Sequence, residues 1–284
     1  MNNKIKLKNL LNSSNIEYAM EAYNPISAMI AKNAGFKCLW VGSLGVSASL
    51  GIRDDSEISW SEMLSNVDNI FDYVNMPIIV DMDSGYGDEN IAARVAKKLD
   101  KVGAAGACIE DKLFPKMNSF ISHKQKLINV DDFCLKIKKM RDSVSKDFII
   151  IARLEGFIVD DKIENTLNRA YKYVEAGADA LVIHSKKDTV QDIREFMNKF
   201  DKRVPIIIIP TTYHREGKKV FEDLEISLVI WANHLTRASI RVMEDVAKKV
   251  YINQSVDCVE NDIATMDDIF RLQNINEKDN KYGR

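Results

Sequence analysis

Eight short apolar runs recur along this chain: "EYAMEAY", "CLWVGS", "PIIVDMD", "AGACIED", "FIIIARLE", "ADALVIHS", "VPIIIIPT" and "SLVIWANH". Seven of the eight carry a hydrophobic body and then close on polar residues. Near-continuous apolar strands are buried on both faces, which requires a parallel sheet covered by helices. Longer amphipathic segments separate the runs. Three of the joints repeat one theme, in "AKNAGFKCLWV", "KKLDKVGAAGACIE" and "YKYVEAGADALVIH". In each a helix stops at Gly and a buried strand starts a few residues later, as Gly at a helix C-cap dictates. Eight strands alternating with helices in about 250 residues predict an α/β fold of the (β/α)8 type, a TIM barrel, over an open doubly wound sheet. No Gly-rich dinucleotide or phosphate-binding loop follows any of the runs, which also counts against the open sheet. The expectation is one domain over residues 1–284, with a C-terminal helical region at about 256–274 and a frayed tail over 275–284 that ends in "NEKDNKYGR".

Composition narrows the function class. Apolar residues make up 46% and charged residues 29% of the 284, ordinary for a chain that buries a large core, and the net charge of -2 gives no general pull toward nucleic acid or a membrane surface. No stretch approaches the roughly 20 apolar residues that span a bilayer. The amino terminus, "MNNKIKLKNLLNSSN", has lysines but no long apolar segment. Cys38, Cys108, Cys134 and Cys258 form no CxxC pair, so neither a disulfide framework nor a zinc site is indicated. These features read as a reduced, cytoplasmic protein with no nucleic-acid or membrane partner.

In a (β/α)8 barrel the chemistry collects at the C-terminal ends of the strands, where this chain places its charges. In "VDMDSGYGD", Asp81 and Asp83 are separated by one residue, so strand alternation would point both to one face. Converging carboxylates repel unless a cation sits between them, and oxygen-only ligands favour Mg²⁺ or Mn²⁺. The other reading is a strand end capped by turn-forming Asp and Gly. Glu110 ends the next strand and offers a third carboxylate, or else pairs on the surface with Lys112. Asp54, in "LGIRDDSE", is a fourth, or a solvated loop residue. Arg153 ends an isoleucine-rich strand, where its charge needs a substrate anion or a structural partner such as Glu155. His184 closes "ALVIHS" as an oxyanion donor or as a packed, hydrogen-bonded residue. From Glu110 the chain reads "EDKLFPKMNS", four charges, a Pro and an Asn at and directly after the end of a buried strand.

The segments "LGIRDDSEISW", "DMDSGYGD", "EDKLFPKMNS", "ARLE" and "HSKK" together resemble the phosphoenolpyruvate mutases of the isocitrate lyase/phosphoenolpyruvate mutase superfamily, with similarity running over nearly the whole chain. The resemblance implies a (β/α)8 barrel, Mg²⁺ as cofactor (or Mn²⁺), and interconversion of phosphoenolpyruvate and phosphonopyruvate in phosphonate biosynthesis. It implies that Asp81, Asp83 and Glu110 form the metal site, some acting through water, and that Asp54 is the catalytic Asp. Trp40, Gly42, Ser43 and Leu44 match the loop that cradles the substrate. Arg153 and His184 match groups on its anionic ends, and Lys116, Asn118 and Ser119 match a gating loop. The family usually has Ser-Gly-Leu where this chain has Gly42-Ser43-Leu44, so a hydroxyl contact from position 42 is absent here. Relatives that cleave carbon–carbon bonds are similar to one another in carrying a Cys on that loop, whereas this chain reads Lys116-Met117-Asn118. The alternative within the family is a phosphonopyruvate hydrolase, giving pyruvate and phosphate. The resemblance also implies a homotetramer, with the C-terminal helical extension exchanged between subunits.

Overall fold

The computed structural model describes residues 2–120 and 125–273. The tail expected over 275–284, and residue 274 of the C-terminal helical region, lie outside the described residues. Two compact units result, residues 1–233 and 234–284. In the first, eight strands close into a parallel barrel in sequence order: β1 Glu17–Glu21, β2 Cys38–Val41, β3 Ile78–Asp81, β4 Gly106–Glu110, β5 Ile149–Leu154, β6 Ala180–Ile183, β7 Ile206–Ile208 and β8 Leu228–Trp231. Each expected run supplies one strand. The ring shuts because β1 pairs with β8 as well as with β2.

Local chemistry fixes the joints. Gly35, Gly103 and Gly177 all carry left-handed φ values, of 99°, 101° and 111°, which an L side chain adopts only with strain. Each follows a helix and hands the chain to the next strand within a few residues. The helix starts are equally local: Asn24 with Ser27, and Ser59 with Glu62, close capping boxes, and the Asp88 carboxylate accepts from the backbone N–H groups of Asn90 and Ile91.

Strand alternation then builds the core. Cys38 and Trp40 on β2, Ile79 on β3, Cys108 on β4, Ile149 and Ile151 on β5, Ala180 and Val182 on β6, Ile207 and then Ile209, and Leu228 and Ile230 on β8 pack into one buried cluster. The N-terminal helix Asn3–Leu11 closes the floor of this cluster with Leu7 and Leu11. Gly106 lets the neighbouring strand come near, since a Cβ there would stand 2.6 Å from the Ile149 carbonyl oxygen and 3.2 Å from Leu7 Cδ2. Counting two residues on from the upper apolar layer brings Asp81, Glu110, Arg153 and His184 to the other end. The same pleat that fills the barrel therefore delivers its charges to one mouth.

The second unit holds two helices, His234–Asn253 and Met266–Leu272, the latter started by a Thr265–Asp268 capping box. Ile240, Val242, Met243, Tyr251 and Ile252 are exposed on the first, and Met266, Ile269 and Phe270 on the second. No helix among the described residues is long and apolar enough to cross a membrane.

Candidate active site

The mouth of the barrel encloses a cavity of about 60 Å³. Trp40, Gly42, Ser43, Leu44, Asp54, Asp81, Glu110, Lys116, Asn118, Ser119, Arg153 and His184 all line it. Of the residues expected at the site, Asp83 alone is off the lining. It lies against Lys116, its Oδ1 3.1 Å from the ammonium.

Asp83 reaches that place differently from the sequence expectation. Strand β3 ends at Asp81, and the chain turns at once, with Asp83 itself at φ 49°. Its N–H donates to Asp81 Oδ1 at 3.1 Å, and its carbonyl accepts from the Glu110 N–H at 2.8 Å. An Asx turn, not continued alternation, thus brings the two carboxylates together. The buried ammonium of Lys136 holds the following loop from beneath, donating to the carbonyls of Ser84 at 2.8 Å and Gly87 at 2.7 Å. Gly85, at φ 93°, sits where a Cβ would meet Ala92 and Ile109 at 3.0 Å.

Asp54 is the hub of the upper site. Ser43 Oγ donates to it at 2.9 Å, Lys116 Nζ lies 2.5 Å away, and Asn118 Nδ2 donates to its other oxygen at 2.5 Å. Ser43 is also 3.3 Å from Asp81 Oδ2. The loop read as a gate is therefore folded inward, its Lys and Asn side chains reaching the barrel mouth. That explains a cavity small beside the ~300 Å³ of an open ligand cleft.

A second hub is Glu155, which is fully buried. Its carboxylate is paired with Arg153 Nε, lies 2.8 Å from His184 Nδ1, accepts from Ser119 Oγ at 3.1 Å and stands 3.4 Å from Lys112 Nζ. The partner reading of Arg153 is met by this pair, and Arg153 also stands 3.6 Å from Glu110. The surface reading of Glu110 is not: both Glu110 and Lys112 are buried, 3.4 Å apart. His184 Nδ1 is also 2.8 Å from Arg153 Nη2, so one nitrogen serves either the guanidinium or the carboxylate at a time.

The electrostatics follow from burial. Removal from water pushes the Asp81 carboxyl up, and pushes Asp83 up to about 7 although Lys116 opposes it. Burial likewise disfavours the charge on Glu155, but Arg153, Lys112 and His184 outweigh it and hold that carboxyl well below its usual range. Desolvation lowers the His184 imidazole, which favours its neutral form. Lys116 is buried too, yet Asp83 and Asp54 raise its pKa and keep it an ammonium. Cys108, beneath Glu110, has its thiol pushed well up by burial.

Among the described residues no group of three or more His, Cys, Asp or Glu side chains closes on one point as a direct metal cage. The donor set nevertheless suits a hard divalent cation reached partly through water. It is all oxygen: Asp83 Oδ2 and the hydroxyl of Tyr86 are buried without hydrogen-bond partners, and Glu110 Oε1 meets the Lys112 ammonium only at 3.4 Å.

Lys112, Phe120, Ile209, Thr211, Ala232 and Asn233 also line the cavity and were not singled out from the sequence. Ile209, Thr211 and Ala232 lay within reach of it, because they continue the inward alternation of the last two strands. Lys112, two residues beyond Glu110, was read only as its surface partner, and Phe120 lies in a loop that carries no periodicity.

The chain matches the family described as phosphoenolpyruvate phosphomutase over residues 7–251. A phosphoenolpyruvate phosphomutase of Tetrahymena pyriformis is 39% identical over 282 residues, 98% of this chain and 94% of that protein. The crystal structure of a phosphoenolpyruvate phosphomutase from Streptomyces platensis subsp. rosaceus superposes with a TM-score of 0.94, at 31% identity, covering 97% of this chain and 96% of the other. A phosphonopyruvate hydrolase crystallised with oxalate and Mg²⁺ superposes with a TM-score of 0.91, at 29% identity over 96% and 95% of the two chains.

Proposed function

The chain belongs to the phosphoenolpyruvate phosphomutase family, and from that premise we propose that it interconverts phosphoenolpyruvate and 3-phosphonopyruvate. The reaction is an isomerisation. The phosphoryl group leaves the enol oxygen, and the resulting enolate carbon takes it up, so that one P–O bond is exchanged for one P–C bond with nothing else gained or lost.

The observation that carries this reading is the inward gate, in which Asn118 and Lys116 meet Asp54 with neither a Cys nor a His among residues 112–120. Carbon–carbon cleavage needs an acid that protonates a leaving carbanion, and Met117 and Asn118 offer none. Phosphoryl transfer through a loose transition state needs positioned donors instead. In the proposed division of labour, Asn118 and Lys116 steady the phosphoryl group in flight and Asp54 fixes both. Arg153 and His184 hold the carboxylate and enolate oxygens. Trp40 floors the pocket, while Gly42, Ser43 and Leu44 line the substrate's other side and Ser119 closes the gate. Asp81, Asp83 and Glu110 would hold Mg²⁺ or Mn²⁺, in part through water. Such a cation supplies charge neutralisation for the enolate and substrate anions. The residues around the cavity exclude water, which would otherwise capture the phosphoryl group.

The same reading places the protein in phosphonate biosynthesis, in the cytoplasm, as a homotetramer of paired subunits. The exposed apolar residues of His234–Asn253 support an assembly in which that region is covered by another subunit. Within this reading the unit of function is the whole of residues 1–284.

One product assay tests the function. Phosphonopyruvate is incubated with the protein and Mg²⁺, and ³¹P spectra are recorded. The expected result is phosphoenolpyruvate. Inorganic phosphate as sole product would replace this reading with the hydrolase.

A further inference from the structure

Behind Glu155 stands a buried cluster that the reaction as drawn does not use. Asp111 directly follows Glu110 and is wholly buried. Its Oδ1 accepts from the Glu155 N–H at 2.9 Å. Its Oδ2 accepts from the Tyr173 hydroxyl at 2.8 Å and from Arg169 Nη1 at 3.3 Å, both on the helix Ile163–Glu175. Arg169 also bonds Tyr173 at 2.8 Å, and its Nη2 donates to the Ile128 carbonyl at 3.1 Å.

These contacts sit at the root of the gate. The Ile128 N–H donates to the Asp111 carbonyl at 3.0 Å, and the Leu113 N–H to the Lys126 carbonyl at 2.8 Å, so the two ends of the gate are laced into one stem. Arg169 clamps both sides of that stem, Asp111 on one and Ile128 on the other. The same Asp111 carboxylate fixes the main chain of Glu155, whose side chain holds Ser119 and Lys112 of the gate and Arg153 and His184 of the pocket. A single buried anion therefore registers the loop against the barrel.

We propose that Asp111, Arg169 and Tyr173 act as positioning residues that set how tightly the gate seals, and so decide whether the phosphoryl group returns to the enolate or is lost to water. The inference rests on the mutase reading above. When the seal fails, a water oxygen bonds to phosphorus as the P–C bond breaks. The bonding pair goes to the enolate carbon, which then takes a proton, and the balance is one water consumed for one pyruvate and one phosphate formed. Competition between the two fates is steep, because a small change in relative barrier moves the ratio tenfold.

Tyr173→Phe removes one hydroxyl and keeps the ring, which packs on Phe133 at 4.6 Å between centroids. Arg169→Lys is the second variant, loosening the clamp on the stem. With phosphonopyruvate and Mg²⁺, the ratio of phosphate to phosphoenolpyruvate is expected to rise about tenfold in each variant. Amide exchange across residues 112–120 is expected to quicken. A purely structural role would lower both products together and leave their ratio alone. An unchanged ratio in a folded variant overturns the inference, and so does loss of folding in both, which would assign the cluster to stability. Wild-type protein yielding only phosphate would instead sink the mutase reading, so the two failures are distinguishable.

Discussion

At position 42 a methyl group has almost nowhere to go. A Cβ built there would lie 2.5 Å from Trp40 Nε1 and 3.1 Å from Trp40 Cδ1, and the indole is itself buried. The exchange of small residues read from "WVGSL" thus has a steric reason: Gly42 yields to the indole, and Ser43 carries the hydroxyl to Asp54 and Asp81. Gly42→Ala should force the ring aside and cost about 1–3 kcal/mol, the usual range for overpacking. Denaturant unfolding reads the stability, and the KM for phosphonopyruvate should rise with it. A variant with wild-type stability and KM would mean that the indole has room to swing. At this scale most of the residues that line the cavity were legible from the sequence, whereas the burial of the Lys112–Glu110 pair, expected only on the surface, was not.

Between elements, the floor of the barrel depends on how the N-terminal helix Asn3–Leu11 is fastened. Its Leu7 and Leu11 are held by burial, and its Lys4 pairs with Asp100 and lies 3.0 Å from Ser145 Oγ. Burial pushes the Asp100 carboxyl up, but Lys4 and the hydrogen bonds from Ser145 outweigh it, leaving its pKa below the ordinary 3.8. A carboxyl depressed in the folded state adds stability above its unfolded pKa and loses it as the pH falls through the folded value. Lys4→Met should therefore cost about 0.5 kcal/mol at neutral pH, a modest figure because the pair is partly solvated. The gap between variant and wild type should close below pH 3.8. Urea titrations on both sides of that value check it, and a gap that is the same at both would contradict the pairing. The elements themselves were well read: each apolar run became a strand, and each Gly joint took the left-handed turn expected. The turn at Asp83 was missed, because an Asx turn and a strand end share the same residue types.

For the whole molecule, the four carboxylates Asp54, Asp81, Asp83 and Glu110 gathered at one buried mouth are a standing electrostatic cost. Lys116 relieves part of it through Asp54 and Asp83. A divalent cation would relieve more, and a ligand that binds only the folded state stabilises by about 2.7 kcal/mol at 100 times its Kd. Thermal unfolding in EDTA and then in excess Mg²⁺ should show a higher midpoint with the ion. Asp81→Asn should abolish most of that shift. Identical midpoints with and without Mg²⁺ in wild-type protein would mean the acidic mouth takes no cation.

The sequence alone determined the barrel, the joints and the end of the barrel at which charge collects, because a two-residue pleat and a left-handed Gly are properties of neighbours along the chain. It did not determine which charges would meet. Lys116 and Asp54 are 62 residues apart, Arg169 and Asp111 58, and Ser119 and Glu155 36. Only closure of the barrel brings such groups within hydrogen-bond reach, and only burial makes their pairing strong enough to fix the gate in place.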